Sequence, residues 1–176
     1  ISEECATIHI KTNCVLPEGE HIKDYYVSID IFDADGKMQY GVTSLGDVYG
    51  TDSFTQEIIL SEPELWSIER PYLYTAVVRV GGSGDKYDEC RVRFGIRSIE
   101  IRPDEGFFLN GVETKFKGVC NHHDLGPLGA AVNDAAIRRQ IRILKDMGCN
   151  AIRTSHNMPA PELVEACDEM GMMLML

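Results

Sequence analysis

Residues 133–153 read NDAAIRRQIRILKDMGCNAIR, and their periodicity decides the fold of the second half of the chain. Ile137, Ile141 and Leu144 recur at i, i+4 and i+7, the apolar stripe of an amphipathic helix. Arg138, Arg142 and Lys145 fall off that stripe and are expected to face out. Asn133 or Asp134 can cap the first turn, and Gly148 is placed to stop the helix just past Met147. Residues 150–153 then read as a short strand. Upstream, residues 116–120 read as a strand buried on both faces. Downstream, Pro161 lies in the first turn of a second helix, where a missing N–H is tolerated. That helix carries Leu163, Cys167 and Met170 on one face and ends at Gly171, and residues 172–176 open a third apolar strand. The order β-α-β-α-β implies parallel strands joined by right-handed crossovers. A full (β/α)₈ barrel needs roughly 250 residues, and 78 follow residue 98. The pattern therefore predicts either the first third of such a barrel or a complete small α/β domain.

Before residue 98 the rhythm is different. Ala6, Ile8 and Ile10 alternate with Thr7, His9 and Lys11, and Tyr25, Val27, Ile29 and Ile31 alternate with Tyr26, Ser28 and Asp30. Residues 33–36 (Asp-Ala-Asp-Gly) form a turn signal, and residues 38–43 can return as the partner strand. Residues 54–60, 72–80 and 86–94 are further strands, the last two joined by a flexible turn at 81–85. Cys90, Val92 and Phe94 are expected on one face. Six or seven strands with no helical pattern predict an antiparallel β-sandwich of immunoglobulin-like size. The expected division is thus a sandwich over 1–98 and an α/β domain over 99–176. Asn110-Gly111, after Phe107-Phe108-Leu109, is a strong hairpin signal. Trp66, with Leu65, Pro71, Leu73 and Tyr74, is expected in the sandwich core or at the seam, with a sugar-stacking platform as the other reading. The acidic run 52–64 reads as a solvated face, and His9 and His21 carry no partner signal.

Composition narrows the classes. The chain has 176 residues, 44% apolar and 26% charged, as in folded proteins. Seventeen basic against 28 acidic residues give a net charge of −11, which repels phosphate backbones and argues against a nucleic-acid partner. No apolar run approaches the roughly 20 residues of a membrane helix. The six cysteines show no C-x-x-C pair. They are read as buried free thiols, which favours a reducing, cytoplasmic compartment. The chain begins at Ile1 and is read as an internal piece of something longer.

In parallel α/β folds the working residues gather at the C-terminal ends of strands. Two polar clusters fall there: Asn121-His122-His123-Asp124 after the first strand and Arg153-Thr154-Ser155-His156-Asn157 after the second. Adjacent strands would bring His122, Asp124, Arg153, His156 and Asn157 into one site. Several donors and a fixed positive charge suit a polyhydroxylated or anionic ligand. His122, His123, Asp124 and His156 are competent metal ligands, but successive residues of an extended segment point oppositely. No metal and no cofactor are assigned. The loop 124–129, with Gly126 and Gly129, does not make a phosphate cradle.

At these clusters the chain resembles glycoside hydrolase family 2, the β-galactosidase, β-glucuronidase and β-mannosidase family. Pro63-Glu64-Leu65-Trp66 with Pro71-Tyr72-Leu73-Tyr74 is similar to the family's late sandwich-strand motif, and Phe94-Gly95-Ile96-Arg97 resembles its closing Gly-Phe-Arg with the order altered. Phe108-Leu109-Asn110-Gly111 resembles the hairpin that precedes the barrel. Lys117-Gly118-Val119-Cys120-Asn121-His122 is similar to the family's KGVNxH strand, and residues 153–159 (RTSHNMP) to its RTSHNPP strand end, Cys120 and Met158 being the small departures. The resemblance implies an immunoglobulin-like sandwich followed by the start of a (β/α)₈ barrel, and a carbohydrate substrate, with β-galactosidase favoured. It implies a retaining mechanism with two carboxylates about 5–5.5 Å apart. In the family these come from strands four and seven, so this chain alone is expected to be inactive. His122 then matches a sugar-contacting histidine, His156 one that bonds hydroxyls and supports the transition state, and Arg153 an arginine bracing the nucleophile region; Asp124 and Asn157 are loop neighbours on the same wall. A non-catalytic carbohydrate-binding or scaffold module, a metal-dependent barrel hydrolase and a structural piece without ligand are the alternatives. A homo-oligomer is left open. The five apolar residues 172–176, at an open sheet edge, are expected to associate or to stay poorly ordered.

Overall fold

A computed structural model describes residues 1–2, 4–16, 18, 21–49, 51–82 and 87–176. The chain divides into two units: Ile1–Glu64 with Leu73–Phe94, and Leu65–Tyr72 with Gly95–Leu176.

The alternating first unit makes six strands: β1 (Cys5–Val15), β2 (His21–Phe32), β3 (Met38–Tyr49), β4 (Thr51–Ser61), β5 (Tyr74–Gly81) and β6 (Tyr87–Phe94). Every pairing is antiparallel. β1 pairs with β4, and the other four lie in the order β3-β2-β5-β6. Inner faces of both sheets supply the core: Val27, Ile29 and Ile31 from β2, Ala76, Val77 and Val78 from β5, and Ala6, Ile58 and Leu60 from β1 and β4. Tyr25 stacks on Phe54 at 5.6 Å, and its hydroxyl donates to Cys14 Sγ at 2.6 Å. The Gln56 amide donates to Val27 O and Ser44 Oγ. The two sheets therefore share one apolar interior, as in a sandwich. The turn at Asp33 forms as expected: Asp33 Oδ1 accepts from the amides of Asp35 and Lys37, and Gly36 takes φ +78°.

Several expectations for this unit are corrected. Cys90 and Val92 are exposed, because β6 is an edge strand of a four-stranded sheet that faces only two strands. Only Cys14 and Cys167 among the six free thiols are buried; Cys149 is half-buried, and Cys5, Cys90 and Cys120 are exposed. His9 does have a partner, Glu57 Oε2 at 3.6 Å, its opposite number across β1 and β4. In the acidic run, Gln56, Ile58 and Leu60 are buried on alternate positions, so only the other face of β4 is solvated. Of the turn expected at 81–85, Gly81 still belongs to β5, while residues 83–85 and the His21 side chain lie outside the described residues.

The second unit starts with three short antiparallel strands, β7 (Ile99–Arg102), β8 (Gly106–Leu109) and β9 (Val112–Glu113). Asn110 (φ 51°) and Gly111 (φ 76°) turn β8 into β9 with two left-handed residues, the hairpin that Asn-Gly predicts. The parallel part follows: β10 (Gly118–Cys120), α1 (Asp134–Asp146), β11 (Ala151–Arg153), α2 (Pro161–Met170) and β12 (Met173–Met175), in sheet order β10-β11-β12. Asn133 Oδ1 caps α1 by accepting from Ala136 N, and Pro161 opens α2. Ile137, Ile141, Leu144, Ile152, Ala166, Cys167 and Met172 form one buried cluster between helices and sheet. Burial, with the charge of Asp168 adding to it, pushes the Cys167 thiol up to about 12.

Here too the structure departs from the pattern. Phe116 lies before β10, packed against Phe107, and is exposed. Cys120 is exposed at the end of β10, which has a partner on one side only. Arg138 and Lys145 do not simply face water. Arg138 bridges Asp134 and Glu169, tying α1 to α2. Hydrogen bonds to Glu169 and then Asp134 raise its pKa further. Lys145 Nζ donates to the carbonyls of Ile68, Met170 and Gly171. Trp66 belongs to this unit rather than to the sandwich core: it is 1% exposed, and its Nε1 donates to Asp168 O at 2.8 Å. Gly95 lies against its ring, and the Arg97 guanidinium sits 4.8 Å from the ring centre. A ring so enclosed has no face for a sugar. Met172 and Met173 are buried, so the last strand is exposed only at Met175 and Leu176. The architecture is an antiparallel sandwich, then a small three-stranded antiparallel sheet, then three parallel strands and two helices.

Candidate functional site

The site is built by the register of β10 on β11. Cys120 stands opposite Arg153, and Asn121 N continues the ladder by donating to Arg153 O at 2.8 Å. Both strands thus end at one level, and both polar clusters leave from that level. Gly118 permits the close pairing: a Cβ there would lie 1.9 Å from Ala151 O.

After β11 the chain turns sharply. Thr154 is buried, donating N–H to Met175 O at 3.0 Å. Ser155 is also buried and adopts φ 57°, a left-handed conformation that costs a non-glycine residue about 1–3 kcal/mol. Asn157 N closes the turn onto Thr154 O at 3.1 Å. This turn presents His156 and Asn157 to the first loop. The rings of His122 and His156 meet edge to face with centres 5.2 Å apart. Asn157 Nδ2 lies 3.2 Å from His122 Nδ1. Both imidazoles are exposed and Asn157 is half-buried.

Three of the five expected residues are therefore brought together: His122, His156 and Asn157. Arg153 ends β11 with its side chain exposed, and among the described residues no hydrogen bond or ion pair links it to that trio. Asp124 stays exposed and braces its own loop, where Oδ1 accepts from Gly126 N at 2.9 Å and supports the 3-10 turn Gly126–Leu128. Beside the trio lies a shallow hollow of about 50 Å³, open to solvent, with Leu125, Val132, Met158 and Leu163 among its apolar walls and Gln140 at its side. Among the described residues no three His, Cys, Asp or Glu side chains are grouped to hold a metal ion. Two residues of the second cluster were not among the expected site residues. Thr154 and Ser155 set the turn, and a positive φ at serine leaves no mark in sequence. What the arrangement can do is offer imidazole and amide hydrogen bonds to one solute at the ends of two parallel strands.

Comparison with known proteins bears on this arrangement. The family model for glycosyl hydrolases family 2 matches residues 1–97, and that family's TIM barrel domain matches residues 99–176. The chain is similar to the beta-galactosidase BoGH2A of Bacteroides ovatus, 42% identical over 177 residues, covering 99% of this chain and 21% of that protein. Among solved structures it is similar to a glycosyl hydrolase family 2 member from Bacteroides cellulosilyticus, with a TM-score of 0.92, 35% identity, and 98% and 22% of the two chains covered. It is likewise similar to a beta-glucuronidase from Bacteroides uniformis, with a TM-score of 0.90, 32% identity, and 99% and 21% covered. The chain spans about a fifth of the length of these relatives. The parallel β-α-β-α-β segment is thus the opening portion of a TIM barrel, and its strand ends carry the paired histidines. By matches that run across both of its units, the chain belongs to glycosyl hydrolases family 2.

Proposed function

We propose that this chain is part of a retaining β-glycosidase, with β-galactosides as the favoured substrates, and that His122, His156, Arg153, Asp124 and Asn157 wall its sugar site. The division at 98/99 belongs to the same reading, with a sandwich carrying the barrel that bears this wall. The observation that carries the proposal is the meeting of His122, His156 and Asn157 at the C-terminal ends of two parallel strands, the end of an α/β barrel where substrates bind. Hydrogen bonds from such groups to sugar hydroxyls strengthen as oxocarbenium character develops, and so contribute in the transition state. The two carboxylates of the retaining mechanism come from later barrel strands, so this chain supplies binding and positioning and turns over nothing alone. The name of the Bacteroides ovatus relative supports β-galactosides, and that of the Bacteroides uniformis relative makes β-glucuronides the second reading.

The test uses the protein with its whole reading frame. Nitrophenyl β-galactoside and β-glucuronide are compared by kcat/KM. A galactoside preference with retention of anomeric configuration is expected. Turnover of the glucuronide alone would move the specificity to the second reading, and no turnover of either would overturn the proposal.

A further inference from the structure

We infer that Asn157 is a positioning residue that holds His122 in its Nε2–H tautomer. This rests on the glycosidase reading only for what that proton is used for; the contact itself is independent of it. An amide nitrogen donates and has no lone pair to offer. Nδ2 of Asn157 lies 3.2 Å from Nδ1 of His122, so Nδ1 must be the unprotonated, accepting nitrogen. The neutral ring then carries its proton on Nε2, the nitrogen turned away from Asn157. The backbone of Asn157 is fixed by its bond to Thr154 O and by the left-handed Ser155 two residues earlier, so the base of its side chain is held beside His122 before any ligand arrives. The His156 ring, edge to face at 5.2 Å, limits rotation of the imidazole from another side. His122 therefore presents a donor, and a donor suits a sugar hydroxyl oxygen or a ring oxygen. Asn157 acts through His122, and the strained Ser155 turn gains a reason: it delivers the amide to the ring.

The test reads the tautomer directly, by two-bond ¹⁵N–¹H correlation of histidine-labelled protein above the imidazole titration range. His122 is assigned by its disappearance in His122→Gln. His123 is exposed and has no hydrogen-bond or ion-pair partner among the described residues, so it reports the ratio of an unconstrained ring. The Nε2–H to Nδ1–H ratio at His122 should exceed that at His123 about fivefold, the factor set by a net hydrogen bond of typical strength. Asn157→Ala should bring the two ratios together. In Asn157→Asp the partner becomes a pure acceptor and the proton should move to Nδ1, inverting the pattern. An Nδ1–H ring in the wild type, or a ratio equal to that of His123, would overturn the inference. Retention of the Nε2–H pattern in a folded Asn157→Asp would do the same. Failure of the glycosidase reading looks different: the tautomer pattern stays as expected while the whole-frame enzyme turns over neither glycoside.

Discussion

Gly148 and Gly171 end α1 and α2 with similar left-handed backbones, φ +87° and +69°, yet alanine should be tolerated very differently at the two. Forcing a Cβ into that conformation costs about 1 kcal/mol at either site. At Gly148 nothing lies within 4 Å of the added atom, so the strain is the whole effect. At Gly171 the atom would stand 2.1 Å from Ile68 O and 3.2 Å from Lys145 Nζ. The bend at Ile68 must retreat, and the Lys145–Ile68 bond, 3.2 Å long, breaks with it. A hydrogen bond from a charged donor contributes about 1.5–3 kcal/mol. Gly171→Ala should therefore cost about 3 kcal/mol against about 1 kcal/mol for Gly148→Ala. Urea titration followed by fluorescence suits the comparison, because Trp66 is the only tryptophan and is buried in this same unit. Equal midpoint shifts for the two variants would refute the reasoning, since they would mean that the carbonyl of Ile68 gives way at no cost.

Three further outcomes are expected. In the whole-frame enzyme, His156→Ala should lower kcat and kcat/KM together by about 10–100-fold, the range of a hydrogen bond to a charge-bearing transition state; a rise in KM alone would make it a ground-state binding residue. Maleimide at pH 8 should label Cys5, Cys90 and Cys120 in the native protein and spare Cys167, whose thiol at about 12 leaves on the order of one thiolate in ten thousand; mass mapping of labelled peptides decides it. Asp33 is held below its ordinary 3.8, chiefly by the Lys37 amide, so its contribution is present above that value and fades as pH falls through the lower, folded-state value. The stability gap between wild type and Asp33→Asn should accordingly shrink on acidification below pH 3.8, and a gap that stays constant would remove Asp33 from the acid response.

Much of this architecture was legible because single-element signals decide it. The stripe Ile137, Ile141, Leu144 fixes α1, Asn110-Gly111 fixes the hairpin, and parallel connectivity alone gathers the two histidine clusters at one edge. What was not legible depends on a second element. Alternation says that β6 has two faces, but only the two-strand width of the opposing sheet tells that Cys90 and Val92 stay wet. Arg138 and Lys145 look solvent-facing until Glu169 and the carbonyls of Ile68, Met170 and Gly171 arrive from elsewhere. The choice between sandwich core and seam for Trp66 was not legible, because its acceptor, Asp168 O, is 102 residues away. Within the site, proximity of His122, His156 and Asn157 was legible, but the loop-bracing bond of Asp124 was not, since an aspartate two residues before a glycine serves equally well as a loop brace or as a ligand.

The interruption of the first unit by Leu65–Tyr72 also sets an order of events during synthesis. The ribosome delivers Trp66 102 residues before the carbonyl of Asp168, and Ile68 77 residues before the ammonium of Lys145, exist to receive them. Until then the indole N–H lacks its acceptor, although Gly95 and Arg97 arrive earlier to cover part of the ring. A nascent chain stalled before α2 should present this segment to chaperones or proteases, whereas one stalled after residue 171 should not. A polypeptide started at residue 99 never has the segment at all, and would leave the backbone of α2 at Asp168 without its indole donor.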